Sequence, residues 1–265
     1  MTQSILSLRA LPGERLDLSR LDPVALASST QGEIARLPIG MAGGGPLLGD
    51  LFDIRLGDEG ALVIEGGSPR FDRLAQGLGA GTIRIVGDVG QLAGRGMTGG
   101  RLDIEGAAGP LAGSGMAGGS IRIGGDAGDC LGGPMPGEMA GMRGGQIVVE
   151  GHAGARAGDR MRRGTIVIAG SAGAYAGSRM IAGTLVVGGA CAAGVGQLMR
   201  RGTIILAAAP EPIPGSFVDN GVAEILFVRV LTGLVPQMPA LPARLRRLAG
   251  DMATIGKGEI LLPIE

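Results

Sequence analysis

The sequence predicts an all-β chain: a parallel β-helix solenoid of about 8–9 coils with 19-residue repeats, right-handed by expectation, and with small capping segments at both ends. Three observations carry this reading. The first is that 54 of 265 residues are Gly, against a usual share of about 7%, yet Gly does not recur at every third position as collagen requires. The second is that 45% of residues are apolar and mean hydropathy is +0.33. A disordered chain is polar and cannot offset its ordering entropy by burial, whereas this one can. With four Phe, one Tyr and no Trp, its core must be built from Ile, Leu, Val, Ala and Met. The third is a long period that places the glycines.

That period is carried by the phrase Gly, polar, aliphatic, any residue, aliphatic. It begins at Gly81, Gly100, Gly119, Gly145, Gly164, Gly183 and Gly202, and the spacing is 19 at every step but one. The exception is 19 plus a seven-residue insertion around residues 134–140. Six residues after the anchor lie Gly87, Gly106, Gly125, Gly151, Gly170 and Gly189. Nine after it lie Gly90, Gly109, Gly128, Gly154 and Gly173, and thirteen after it Gly94, Gly113, Gly132, Gly158, Gly177 and Gly196. These G-x-x-G-x-x-x-G columns read as corners, where a positive φ or a close backbone approach excludes a Cβ. A fifth column is Met97, Met116, Met142, Met161, Met180 and Met199, an expected interior ladder because Met fills irregular gaps. Aliphatic pairs such as Ile83/Ile85 and Ile166/Ile168 alternate at period 2, the pattern of a strand with one face inward.

Residues 1–48 form the expected N-terminal cap, with a strand over 5–11 and a helix over 21–28. The solenoid spans 49–206. It starts with an irregular coil at 49–57 and a weak unit in which residues 61–65 supply the strand and Leu78 stands in the Met column. Beyond residue 206 the period stops, and Pro210, Pro212 and Pro214 mark a linker. An apolar segment over 222–235 and a basic helix over 241–252 complete a C-terminal cap at 207–265. Caps are needed because an open solenoid end would expose strand edges.

The residue between each aliphatic pair points outward: Arg84, Asp103 and Arg122, then Val148, Val167, Val186 and Ile205. A ladder of four aliphatics is not left in water. Its cover is either the segment 222–235 or a partner subunit, which makes Val148, Val167, Val186 and Ile205 interface candidates. Just before the anchor Gly, later coils carry Arg143, Arg160, Arg162, Arg163, Arg179, Arg200 and Arg201. Equivalent positions stack, so these form a basic stripe. It is either a solvated or subunit-facing surface, or a groove for an anionic ligand or partner, since Arg suits bidentate carboxylate recognition.

No catalytic centre is legible, and no metal site is expected. The single His152 follows a corner and reads as a surface residue. There is no His/Cys cluster. Cys130 and Cys191 lie three coils apart, about 14 Å along the axis, too far for a disulfide. Asp88 and Asp126 share a column, but Ala107 stands between them. The Gly motif lacks dinucleotide-binding spacing and a following helix. Charge is balanced, 24 basic against 24 acidic, which predicts no nucleic-acid partner. No long apolar run or signal segment is evident, so no membrane association and a cytoplasmic location are the expectations.

Tandem 19-residue G-x-x-G-x-x-x-G coils resemble the C-terminal β-helix domain of glutamate synthase and its stand-alone relative, the C subunit of formylmethanofuran dehydrogenase. Flanking phrases favour the second: Gly13-Glu14-Arg15-Leu16-Asp17-Leu18, Leu48-Gly49-Asp50-Leu51-Phe52-Asp53-Ile54, Phe71-Asp72 and Gly256-Lys257-Gly258-Glu259-Ile260. Glutamate synthase proper would need an N-terminal Cys nucleophile, and this chain begins Met1-Thr2. The resemblance implies one of two complexes. One is the tungsten or molybdenum formylmethanofuran dehydrogenase. The other is a four-subunit formyltransferase/hydrolase complex of one-carbon metabolism, in which formyl passes from formyl-tetrahydromethanopterin to a methanofuran analogue and leaves as formate. The basic set is Arg except for Lys257, a composition of high-GC bacteria that favours the second complex. The family implies that catalysis, the methanofuran-type cofactor and metals reside in partner subunits (amidohydrolase-like A, B and formyltransferase D), with no cofactor held by this chain. It also implies anionic polyglutamate tails on the furan cofactor, a candidate counterpart of the Arg stripe. A free-standing left-handed β-helix acyltransferase, the competing class, would show an 18-residue coil and a catalytic His. A glutamate-synthase-like accessory protein, serving as a rigid spacer, is the third class.

Overall fold

Short strands whose alternate residues are aliphatic bury one edge against the coil interior, and each coil must then find a neighbour for its backbone. The computed structural model, which describes residues 2–41, 45–210, 212–234, 241–242 and 244–264, shows how the chain does both. The N-terminal region contributes β1 (Ser4–Leu8), β2 (Leu16–Asp17), α1 (Pro23–Leu26), α2 (Gln31–Ala35), α3 (Leu48–Leu51) and β3 (Phe52–Arg55). Then come β4 (Ala61–Glu65), β5 (Phe71–Asp72), β6 (Thr82–Val86), β7 (Thr98–Ile104), β8 (Gly118–Ile123), β9 (Arg143–Val149), β10 (Arg163–Ile168), β11 (Thr184–Val187) and β12 (Arg201–Leu206). The C-terminal region adds β13 (Val218–Glu224), α4 (Leu226–Leu234), β14 (Arg244–Ala249) and β15 (Lys257–Leu262).

From β4 to β12 the long strands pair in parallel and in register: Ile83 faces Leu102, then Ile121, Ile147, Ile166, Leu185 and Ile204. This is the row of a parallel β-helix. A second row of single bridges runs through Val89, Ala108, Ala127, Ala153, Ala172 and Cys191. The Met column is interior, each of its six side chains being 0% exposed.

The glycine columns divide by cause. The thirteenth position needs a positive φ, 66° at Gly94 and Gly177. At the ninth position the cause is space: a Cβ on Gly109 would lie 2.7 Å from the carbonyl carbon of Gly90. Stacked backbones about 4.8 Å apart leave that corner no room for a side chain.

Three expectations about the ends are corrected. Residues 49–57 are not a coil, because β3 runs antiparallel to β1, which itself continues the parallel row beside β4. The basic helix over 241–252 is instead the strand β14, antiparallel to β15. The parallel row also extends past residue 206, since β15 pairs with β12, Ile204 against Ile260. The N-terminal region is tied to the first coil by β2–β5 pairing and by Arg15, whose Nε donates to the fully buried carboxylate of Asp72 at 2.7 Å.

The aliphatic ladder is covered by the chain itself. Val148, Val167, Val186 and Ile205 pack in one cluster with Val228 of α4, Leu245 of β14 and Leu261 of β15. None of the four is more than 6% exposed, so as interface candidates they are corrected: they offer no surface to a partner. Val235, in the segment expected to cover them, lies outside the described residues. On the early coils the same face is charged and ion-paired, Arg84 with Glu105 and Arg122 with Glu150.

Two outcomes are expected in urea denaturation. Gly109→Ala should lose about 2 kcal/mol or more through the corner clash, while Gly13→Ala, whose Cβ would meet nothing within 4 Å, should be near neutral. Val186→Ala should cost about 2 kcal/mol through the cavity it leaves under α4, whereas Arg84→Ala should cost less than about 1 kcal/mol, as an exposed ion pair does.

Candidate functional site

One corner of the later coils gathers the arginines. The turn after each second-row bridge runs through αL residues at alternate positions, and some are not glycine: Arg156 (φ 61°), Arg160 (φ 50°), Tyr175 (φ 63°) and Arg179 (φ 54°). A side chain held in αL costs roughly 1–2 kcal/mol, and here it turns long cationic side chains out over the corner. Arg160, Arg162, Arg179 and Arg200 line a cleft of about 450 Å³ with Met139, Ile181 and Leu198. Thr254 closes its end, bonded through Oγ1 to the Met199 carbonyl at 2.6 Å.

The four arginines are not equivalent. Arg179 is clamped: its Nε donates to Oδ1 of Asp159 at 2.9 Å and its Nη2 to Oδ2. Asp159 is 2% exposed and also accepts from Ser178 Oγ at 3.0 Å. The Asp159 hydrogen bond, and then its charge, hold the Arg179 guanidinium above its ordinary pKa, against the opposing effect of burial. Arg160 Nη1 donates to the Glu138 carbonyl at 2.9 Å. Arg162 and Arg200 carry no ion pair among the described residues, so their charge is available to a ligand.

A second cleft, about 390 Å³, adjoins the first. It shares Arg160 and Arg179 and adds Arg156, Leu111 and the insertion residues Pro134, Met135 and Pro136. The Arg156 guanidinium sits 5.7 Å from the centre of the Tyr175 ring, within cation–π range. Arg143 stands apart, in a shallower cleft of about 300 Å³ with Arg95, Ser114 and Glu138. Arg163 and Arg201 begin β10 and β12 and face Arg143 and Lys257 across the sheet. The structure therefore brings together four of the seven stripe residues and leaves Arg143, Arg163 and Arg201 outside the main cleft.

Two acids that shape this corner are not singled out by the sequence pattern. Asp159 directly precedes Arg160 and lies 20 residues before Arg179, close to one repeat, a spacing that could have suggested the clamp. Glu138 lies in the aperiodic insertion, where no column signals it. Its carboxyl is held below the ordinary range, chiefly by the Arg95 hydrogen bond against the opposing cost of burial, with smaller help from the Met135 N–H and the Arg95 and Arg143 charges. His152 is exposed and accepts through Nδ1 from the Ser171 N–H at 3.0 Å, joining two coils. Asp88 and Asp126 do the same for Ala107 and His152. Among the described residues, no group of three or more His, Cys, Asp or Glu could hold a metal ion, and no helix is long and apolar enough to cross a membrane.

No protein-family model matches the chain. Over 88 residues it is 47% identical to the C subunit of the formyltransferase/hydrolase complex Fhc of Methylorubrum extorquens, a match that covers 33% of this chain and 33% of that relative's length. It is also similar to a chain in the X-ray crystal structure of the formyltransferase/hydrolase complex (FhcABCD) from Methylorubrum extorquens in complex with methylofuran. There the identity is 47% and the TM-score 0.92, covering 98% of this chain and 100% of that one.

Neither thiol should act as a nucleophile near neutral pH. Burial pushes the Cys191 thiol up to about 12, and burial, then the Asp159 charge, raise that of Cys130. A raised value keeps the group as thiol well above pH 8, and the thiolate is the reactive form. Iodoacetamide at pH 8 should label both slowly in the folded chain and rapidly in urea; fast native labelling of Cys191 would contradict the assignment.

Proposed function

Because the chain belongs to the family of the C subunit of the formyltransferase/hydrolase complex, we propose that it is the structural, non-catalytic member of such a complex, which carries formyl from formyl-tetrahydromethanopterin to a methanofuran-type cofactor and releases formate. The single observation that supports this most is 47% identity sustained over 98% of the chain, with a TM-score of 0.92. The presence of methylofuran in that related crystal structure favours this reading over the tungsten or molybdenum dehydrogenase. Partners on this reading are an amidohydrolase-like A subunit, a B subunit and a formyltransferase D subunit, acting in the cytoplasm. Metals and the furan cofactor's reactive end belong to those subunits.

The role of this chain is then mechanical and electrostatic. Its stacked coils are a rigid scaffold, and the arginine cleft offers fixed donors to carboxylates. Arg162 and Arg200, two coils and about 10 Å apart along the axis, suit an extended chain of acids better than a single small anion. The reading assigns the cleft to the anionic tail of the cofactor, with an acidic surface of a partner subunit as the outcome that would replace it.

Co-purification from the native host tests the assignment. Recovery of A, B and D subunits with this chain is expected, and recovery alone or with a molybdopterin enzyme would overturn it. In the assembled complex, Arg162→Ala and Arg200→Ala should each weaken cofactor retention by about tenfold, the worth of a charge-assisted hydrogen bond. Arg163→Ala and Arg201→Ala, outside the cleft, should change it little. Weakened subunit assembly with unchanged cofactor retention would transfer the cleft to a protein partner.

A further inference from the structure

The insertion at 134–140 breaks the 19-residue period, and one residue ties it down. Glu138 Oε1 accepts from Arg95 Nη2 at 2.8 Å, and its Oε2 accepts from the Met135 N–H at 3.1 Å. Its carbonyl accepts from Arg160 Nη1 at 2.9 Å. Arg95 and Arg160 are three coils apart, so this one acid bridges about 14 Å of the solenoid. It also stands at a boundary in the surface charge. On the early-coil side it shares a shallow cleft with Arg95 and Arg143. On the later side lie Arg160, Arg162, Arg179 and Arg200 around the deeper one.

We propose that Glu138 is an acidic end-stop: it pairs with Arg95, offsets the positive charge of the cleft that it shares with Arg143, and so confines a linear polyanion to the later coils. The proposal rests on the reading that the arginine cleft binds such a ligand. Without this acid the basic surface would extend from the later coils towards Arg143 and Arg95, interrupted by Asp129 and the Arg179-bound Asp159, and a flexible polycarboxylate could bind in more than one register along it. With it, the ligand meets a carboxylate and a bound loop where the cleft ends, and a single register is favoured. Glu138 is thus a positioning residue that sets where the tail stops, in addition to holding the loop.

The test uses the full chain and fluorescein-labelled poly-L-glutamate of about ten residues, with anisotropy followed at several salt concentrations. Glu138→Gln keeps the side-chain size and one of the two acceptor oxygens that Arg95 and the Met135 N–H now use, and removes the charge. It should bind the probe about threefold more tightly or better, with a steeper loss of affinity on adding salt, because two more arginines contribute. Adding Arg143→Ala to Glu138→Gln should reverse much of the gain, and Glu138→Asp should stay close to the unsubstituted chain. A purely structural anchor would give weaker or unchanged binding in Glu138→Gln, and that result overturns the end-stop. Arg162→Ala with Arg200→Ala separates this from the underlying reading. If that pair abolishes binding while Glu138→Gln changes nothing, the cleft stands and the end-stop falls. If the unsubstituted chain does not bind the probe, both fall.

Discussion

Each coil's backbone N–H groups bond carbonyls of the coils before and after it, about one repeat away in sequence, and the rest of the molecule depends on that register. Gly106 N bonds Gly87 O at 3.0 Å, Gly125 N bonds Gly106 O at 2.9 Å, and Gly170 N bonds Gly151 O at 2.9 Å. Buried backbone groups must be paired, and at the corners, where carbonyls turn away, side chains of Asp88, Asp126, Asp129 and His152 accept the next coil's N–H instead. The same close stacking excludes a Cβ at the Gly columns and lines the Met ladder inside. A residue type repeated at one column becomes a stripe at one corner, which is how ordinary arginines become a cleft.

The two halves of the solenoid solve the outer face differently. Early coils leave it to charge: Arg84, Arg101 and Arg122 each find a carboxylate. Later coils bury it beneath α4 and β14, with Leu261 of β15 extending the ladder, in a cluster separate from the main core. The basic cleft occurs on those same later coils, so the part of the solenoid that carries the arginine corner is also braced from outside. Asp159 adds a local brace by fixing Arg179.

Much of this was legible from periodicity. The seven anchor glycines, the Met column and the direction of the outward residues follow from a pattern that repeats every 19 residues, and the structure bears each of these out. The ends were less legible because they do not repeat. Gly49 to Leu56 contains aliphatics at coil-like spacing, yet β3 reverses direction to close the N-terminal edge. At the other end, Gly258-Glu259-Ile260-Leu261-Leu262 is a further copy of the anchor phrase. It returns the chain to the sheet as β15 after a long detour, and the interruption hid it. For the candidate site, the arginine columns were visible, but their convergence was not. Which arginines meet depends on αL turns at Arg160 and Arg179 and on two acids, Asp159 and Glu138, whose partners lie in other coils.

The register itself is the claim to test, by thermal unfolding of two deletion chains followed by circular dichroism. Removing residues 145–163 excises one whole repeat and leaves Ile121 to face Ile166 as it now faces Ile147. Removing 147–164 instead leaves one residue too many inside the strand itself, between Gln146 and Ile166, and a one-residue slip there turns every inward side chain outward. The account predicts a cooperative unfolding transition and β-rich spectrum for the first and no cooperative transition for the second. Equal behaviour of the two chains, folded or unfolded, would contradict it.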